Sequence, residues 1–136
     1  MNYRPTIYRA AFWIPLAICT YLALMPDPYP EVIRFSDIGL HVFAFTYLTA
    51  ALALAHFDTD RNPPTRAFRV LWIPTIWMLF YSGGLEVAQG FTPNRQAEIL
   101  DLCWDTIGIG IGQACYWGYV QIRQVVIDRC NSIDTA

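Results

Sequence analysis

Apolar residues fill four long blocks of the chain, and short polar stretches separate them. The blocks are Ile7 to Met25 (IYRAAFWIPLAICTYLALM), Gly39 to Phe57 (GLHVFAFTYLTAALALAHF), about Phe68 to Gln89, and about Asp101 to Val120. Each approaches the ~20 residues that cross ~30 Å of hydrocarbon at 1.5 Å per residue. Pro15 and Pro74 fall inside the first and third blocks. A soluble helix tolerates an interior proline poorly, whereas membrane helices carry proline more often. Tyr3, Tyr8, Tyr29, Trp72, Trp104, Trp117 and Tyr119 gather near block ends as an interfacial belt would, with Trp13 and Trp77 deeper. The pattern predicts an all-α polytopic membrane protein. It is a four-transmembrane-helix bundle with a short polar hairpin or interfacial turn between helices 3 and 4.

The 136 residues make one domain, 1–136, with residues 121–136 as a cytoplasmic tail whose end, CNSIDTA, is expected to fray. Composition agrees with the block pattern. The chain is 55% hydrophobic and 15% charged, well under the roughly 25% charged of a soluble domain. Mean hydropathy is +0.31. Net charge is −2 and all nine basic residues are Arg, so no nucleic-acid footprint is present. Cys19, Cys103, Cys115 and Cys130 form no C-x-x-C, which argues against a zinc site or disulfide framework and for small apolar fillers.

The first block resembles a signal peptide in having Arg4 and Arg9 before an apolar run. No small-x-small cleavage site comes after it, and LAIC places Ile18 where a lipoprotein signal needs a small residue, so a retained helix is expected. Arginine placement gives the orientation. Arg4, Arg9, Arg61, Arg66, Arg69, Arg123 and Arg129 fall on one side, and only Arg34 and Arg95 on the other. The expected location is the cell inner (cytoplasmic) membrane, multi-pass, with both termini cytoplasmic. NPPTR (Asn62 to Arg66) is then a cytoplasmic turn.

Ionisable and amide residues collect toward the outer end of this bundle. Ser36 or Asp37 can cap the second helix, and Asp37 and His41 share one face of it at i, i+4. In the plain reading Asp37 caps and His41 satisfies a neighbouring helix; in the sharper one both face an outward polar cavity. His56, beside Asp58, is an interfacial residue at the other end. Glu86 and Gln89 share a face near the end of the third block. A carboxylate at membrane depth costs at least ~2.5 kcal/mol if it faces lipid. Glu86 therefore needs a partner, water or a proton; an ion pair with Arg95 is the structural reading. Gly90 and Pro93 end the helix, Thr92 or Asn94 can cap the next helical segment, and QAEIL forms a short interfacial turn. Asp101 opens the fourth block, with Asp105 one turn deeper on the same face as Gly108 and Gly112. That small-xxx-small pair lets another helix approach closely.

Together, Asp37, His41, Glu86, Gln89, Arg95, Asp101 and Asp105 map to the outer third of the bundle. They resemble the VanZ family of small bacterial membrane proteins, named for a teicoplanin-resistance protein. LALMPDP resembles that family's small-residue-and-proline end to the first span. Asp37 and His41 match an Asp-x-x-x-His opening to the second. Glu86, Gln89, Arg95, Asp101 and Gly108 match a Gly-x-x-x-Glu-x-x-Gln-x-x-x-x-x-Arg-x-x-x-x-x-Asp-x-x-x-Asn-x-x-Gly run. The resemblance covers about residues 7 to 120. Two departures stand out: Asp105 takes the Asn position, adding a negative charge, and Ile38 takes a common Lys position, removing a cation. The resemblance implies a helical membrane protein, in some members linked to reduced teicoplanin sensitivity, with no reaction attached.

Three functional readings fit these residues. In the first, a cell-envelope protein binds an envelope lipid, glycan or glycopeptide-like ligand; Arg95 contacts an anion, Gln89 and His41 hydrogen-bond it, and Glu86 and Asp101 orient Arg95. In the second, an intramembrane enzyme uses His41, oriented by Asp37, as base or nucleophile and Glu86 as acid. A variant holds a divalent metal on Asp37, His41, Glu86 and Asp101, although no resident metal or cofactor is expected in the leading reading. In the third, the polar network only locks the bundle. The expected partners are the lipid bilayer and the envelope ligand, with no nucleic acid.

Overall fold

The computed structural model describes residues 4–26, 37–56, 64–93 and 98–134. The described residues form four helices and no strand: α1 (Arg4–Ala23), α2 (Asp37–His56), α3 (Pro64–Gln89) and α4 (Ile99–Asp134). Two of these, over Thr6–Ala23 and Ile38–His56, are long and apolar enough by length and composition to cross a membrane. The other two fall short of that measure because proline, glycine, serine and polar side chains dilute the apolar runs of α3 and α4.

Contacts between helix ends fix the up-down-up-down course. Tyr47 of α2 donates to Ala11 O of α1 at 2.8 Å, and His56 meets Phe12 and Trp13 edge-on. The first half of α1 therefore lies beside the second half of α2. Gln89, at the end of α3, donates to Ala23 O, at the end of α1. Glu86 near the same end of α3 accepts from Glu98 N, immediately before α4. The ends of α1 and α3 and the starts of α2 and α4 thus share one end of the bundle.

α2 packs on all three other helices, most extensively on α4. The glycine pair makes this possible. A Cβ at Gly108 would lie 2.6 Å from Val42 O, and one at Gly112 would lie 2.5 Å from Thr46 O. Thr46 Oγ1 also donates to Gly108 O at 3.1 Å, tying the two backbones together. Phe12, Phe45, Leu48, Leu52, Met78 and Ile109 form the apolar core around that contact. Both interior prolines are accommodated. Pro15 has no N–H for Ala11 O, and Tyr47 supplies the missing donor. Near Pro74, Leu71 O accepts from Thr75 Oγ1 and from Gln113 Nε2 of α4.

Element ends depart from the sequence pattern in two places. The NPPTR turn is in part helix: Pro64 is the first residue of α3, where a missing N–H costs nothing, while residues 61–63 lie outside the described residues. The expected tail is helix as well. Beyond Gly118 no glycine or proline interrupts the chain, and α4 continues to Asp134, through most of CNSIDTA. At 36 residues, α4 is ~54 Å long. Three of the four cysteines differ from the expected role of core fillers. All four are free, only Cys19 packs against the core, and Cys103, Cys115 and Cys130 are exposed on the outer surface.

Polar side chains share the interior with the apolar core, and large apolar side chains cover much of the outside. The buried set includes Thr49, Ser82, Gln89, Asp105 and Gln113, whereas Trp13, Ile14, Phe43, Trp77 and Phe80 face outward, with Phe43 and Phe80 each 74% exposed.

Candidate functional site

The close approach of α2 and α4 sets the site. α2 begins at Asp37, which places His41 one turn in; α4 begins at Ile99, which places Asp101 in its first turn and Asp105 one turn deeper on the same face. Glycine at 108 brings α4 against α2 just below them, so His41 reaches across to Asp105. Its Nδ1 lies 2.8 Å from Asp105 Oδ1. The other carboxylate oxygen, Oδ2, accepts from Ser82 Oγ of α3 at 2.5 Å. Asp105 therefore joins three helices, with both oxygens engaged.

In this contact Nδ1 is the donor wherever Asp105 is ionised, since an ionised carboxylate only accepts. The contact through Nδ1 turns the other ring nitrogen, Nε2, toward Asp101, whose Oδ2 is 3.6 Å away. Burial is graded along this line. Asp105 is 1% exposed, while the side chains of His41 and Asp101 are 16% and 15% exposed. The unit is anchored in the interior and reaches the surface at one end of the bundle.

Glu86 and Gln89 belong to the same end but do other work. Glu86 Oε2 accepts from the backbone N–H of Glu98 at 2.9 Å. A carboxylate thus satisfies a donor at the start of α4, where helix N–H groups lack intrahelical partners. Gln89 Nε2 donates to Ala23 O at 3.1 Å, satisfying a carbonyl at the end of α1. Between α3 and α4 the chain winds tightly after Gln89, with Gly90 N on Glu86 O, Phe91 N on Ala88 O and Thr92 N on Gln89 O. Thr92 Oγ1 turns back to Ala88 O rather than capping forward.

Of the seven residues expected to converge, His41, Asp101 and Asp105 do so directly. Glu86 and Gln89 lie at the same end with separate backbone partners. The side chain of Asp37 and all of Asn94, Arg95, Gln96 and Ala97 lie outside the described residues. The expected orienting role of Asp37 toward His41 thus falls outside the described residues, while Asp105 holds His41 Nδ1 from across the bundle. Gly108 and Gly112 pack α4 on α2 as expected. Ser82 is the participant that sequence reasoning missed. Its one signal is position: it precedes Glu86 by four residues, and so shares its helix face, in an otherwise apolar run.

Among the described residues no group of three or more His, Cys, Asp or Glu side chains is arranged to hold a metal ion. No protein family, curated protein or solved structure matches the chain.

Proposed function

We propose that the chain is a VanZ-like integral membrane protein of the cell envelope whose four helices cross the bilayer. Its outward end binds an envelope lipid, glycan or glycopeptide-like ligand, and lowered sensitivity to teicoplanin-type compounds is the phenotype such binding would give. Membrane insertion is supported by the apolar exterior. Large apolar side chains point outward from all four helices, including α3 and α4, and a water-soluble monomer rarely exposes so much contiguous apolar surface.

The observation that carries the binding reading is the gradient from Asp105 to His41 and Asp101. A network that serves packing alone is sealed, and apolar residues of similar volume do that task as well or better. Here the interior carboxylate holds an imidazole whose far edge is part-exposed beside a second carboxylate. A few convergent polar groups of this kind suffice to orient a ligand. Arg95, in the hairpin between α3 and α4, supplies the cation of the site in this reading.

The Nδ1–Asp105 bond also favours a second reading, an intramembrane enzyme. A carboxylate that fixes a histidine through Nδ1 prepares Nε2 to take a proton. Native mass spectrometry of the protein released from membranes separates the readings. Binding predicts a wild-type mass adduct, identifiable as lipid or glycan, that His41→Ala and Asp101→Asn lose while keeping their helical content. Turnover predicts that an added envelope extract gains a product mass with wild type and not with His41→Ala. Absence of both leaves only a structural network.

A further inference from the structure

Deeper in the bundle, a second polar group sits apart from His41 and Asp101. Gln113 of α4 is 5% exposed and Thr49 of α2 is fully buried. Gln113 Nε2 donates to Leu71 O at 3.0 Å and to Thr75 Oγ1 at 3.1 Å, both on α3. Its Oε1 and the hydroxyl of Thr49, both buried, have no hydrogen-bond partner within the protein. The two residues lie at one level of the bundle. Thr49 packs on Gly112, where a Cβ would stand 2.8 Å from Thr49 Cβ, and Gln113 is the next residue along α4.

An amide oxygen can only accept, and a hydroxyl both accepts and donates. Buried groups of this kind are almost always partnered, by protein or by an ordered water. Surrounding lipid offers nothing in exchange. A partner common to both must donate to Gln113 Oε1, pair with a hydroxyl, and be as small as a water to lie beside so close a helix contact. We propose that Thr49 and Gln113 form a buried water site, in which one water donates to Gln113 Oε1 and hydrogen-bonds Thr49 Oγ1. The water then completes a polar tie across α2, α4 and α3 beside Pro74, because Gln113 already holds Leu71 O. The site uses none of the residues of the ligand reading, so it stands or falls separately.

The test is NMR of the protein in deuterated-lipid nanodiscs, together with thermal melts. The Gln113 Nε2 protons are expected to show cross-relaxation with a long-lived water in wild type, lost in Thr49→Val. That variant keeps the side-chain shape, so it reports on the hydroxyl and not on packing. Its melting temperature is expected to fall by about 5 °C. A missing water signal, a signal that persists in Thr49→Val, or a melting temperature that stays level or rises would overturn the site.

Discussion

A carboxylate inside an apolar bundle keeps its place only while both oxygens are occupied, and Asp105 meets that condition with His41 and Ser82. Truncating it leaves two donors without a partner at once, each costing about 1–3 kcal/mol. Asp105→Ala should therefore lose about 3 kcal/mol or more in a detergent unfolding titration. Asp101→Asn should lose under about 1 kcal/mol, because its contact with His41 is 3.6 Å and part-exposed. Equal losses would remove Asp105 as the anchor. The sequence made His41, Asp101 and Asp105 conspicuous as ionisable residues in apolar blocks. The i, i+4 spacing of Asp37 and His41 is visible within one helix, whereas the bond from His41 to Asp105 crosses 64 residues and could not be read from spacing. Ser82 stayed inconspicuous because a serine in an apolar helix ordinarily bonds its own backbone.

Between elements, backbone distance decides which helices meet. Gly108 and Gly112 face carbonyl oxygens of α2, while Gly110 between them has nothing within 4 Å of its Cβ position. Adding a methyl should therefore act oppositely at neighbouring positions. Gly112→Ala must push α2 from α4 and should lose about 1–3 kcal/mol. Gly110→Ala should be neutral or gain up to about 1 kcal/mol from helix propensity. Melting both variants in the same detergent checks the pair, and similar changes would argue against the close contact. The spacing of the glycines was legible, and so was their role as a packing face. The length of α4 was not, because its end carries no proline or glycine to mark a stop and the apolar block closes well before the helix does. The repair of Pro15 by Tyr47 was equally hidden, since it depends on which turn of α2 lies opposite Ala11.

For the whole molecule, the apolar exterior, the few buried polar groups and the arginine asymmetry all bear on how the bundle sits relative to a bilayer. Large apolar side chains face outward from every helix, and the carboxylate anchor is inside. The site lies at the end shared by the starts of α2 and α4. The four blocks made the four helices readable, and of these α1 and α2 meet a strict length-and-hydropathy measure for crossing a membrane. Proline, glycine and polar side chains, Ser82 and Asp105 of the site among them, dilute the apolar runs of α3 and α4. The central claim is that all four helices cross the bilayer with the His41–Asp105 end outside. Cysteine labelling tests it most directly, in a background where Cys19, Cys103, Cys115 and Cys130 are replaced. Asn94→Cys, between α3 and α4, should react with a membrane-impermeant maleimide in intact cells, and Thr135→Cys only after permeabilisation. Labelling of Thr135→Cys but not Asn94→Cys in intact cells, or the same response at both positions, would contradict the account.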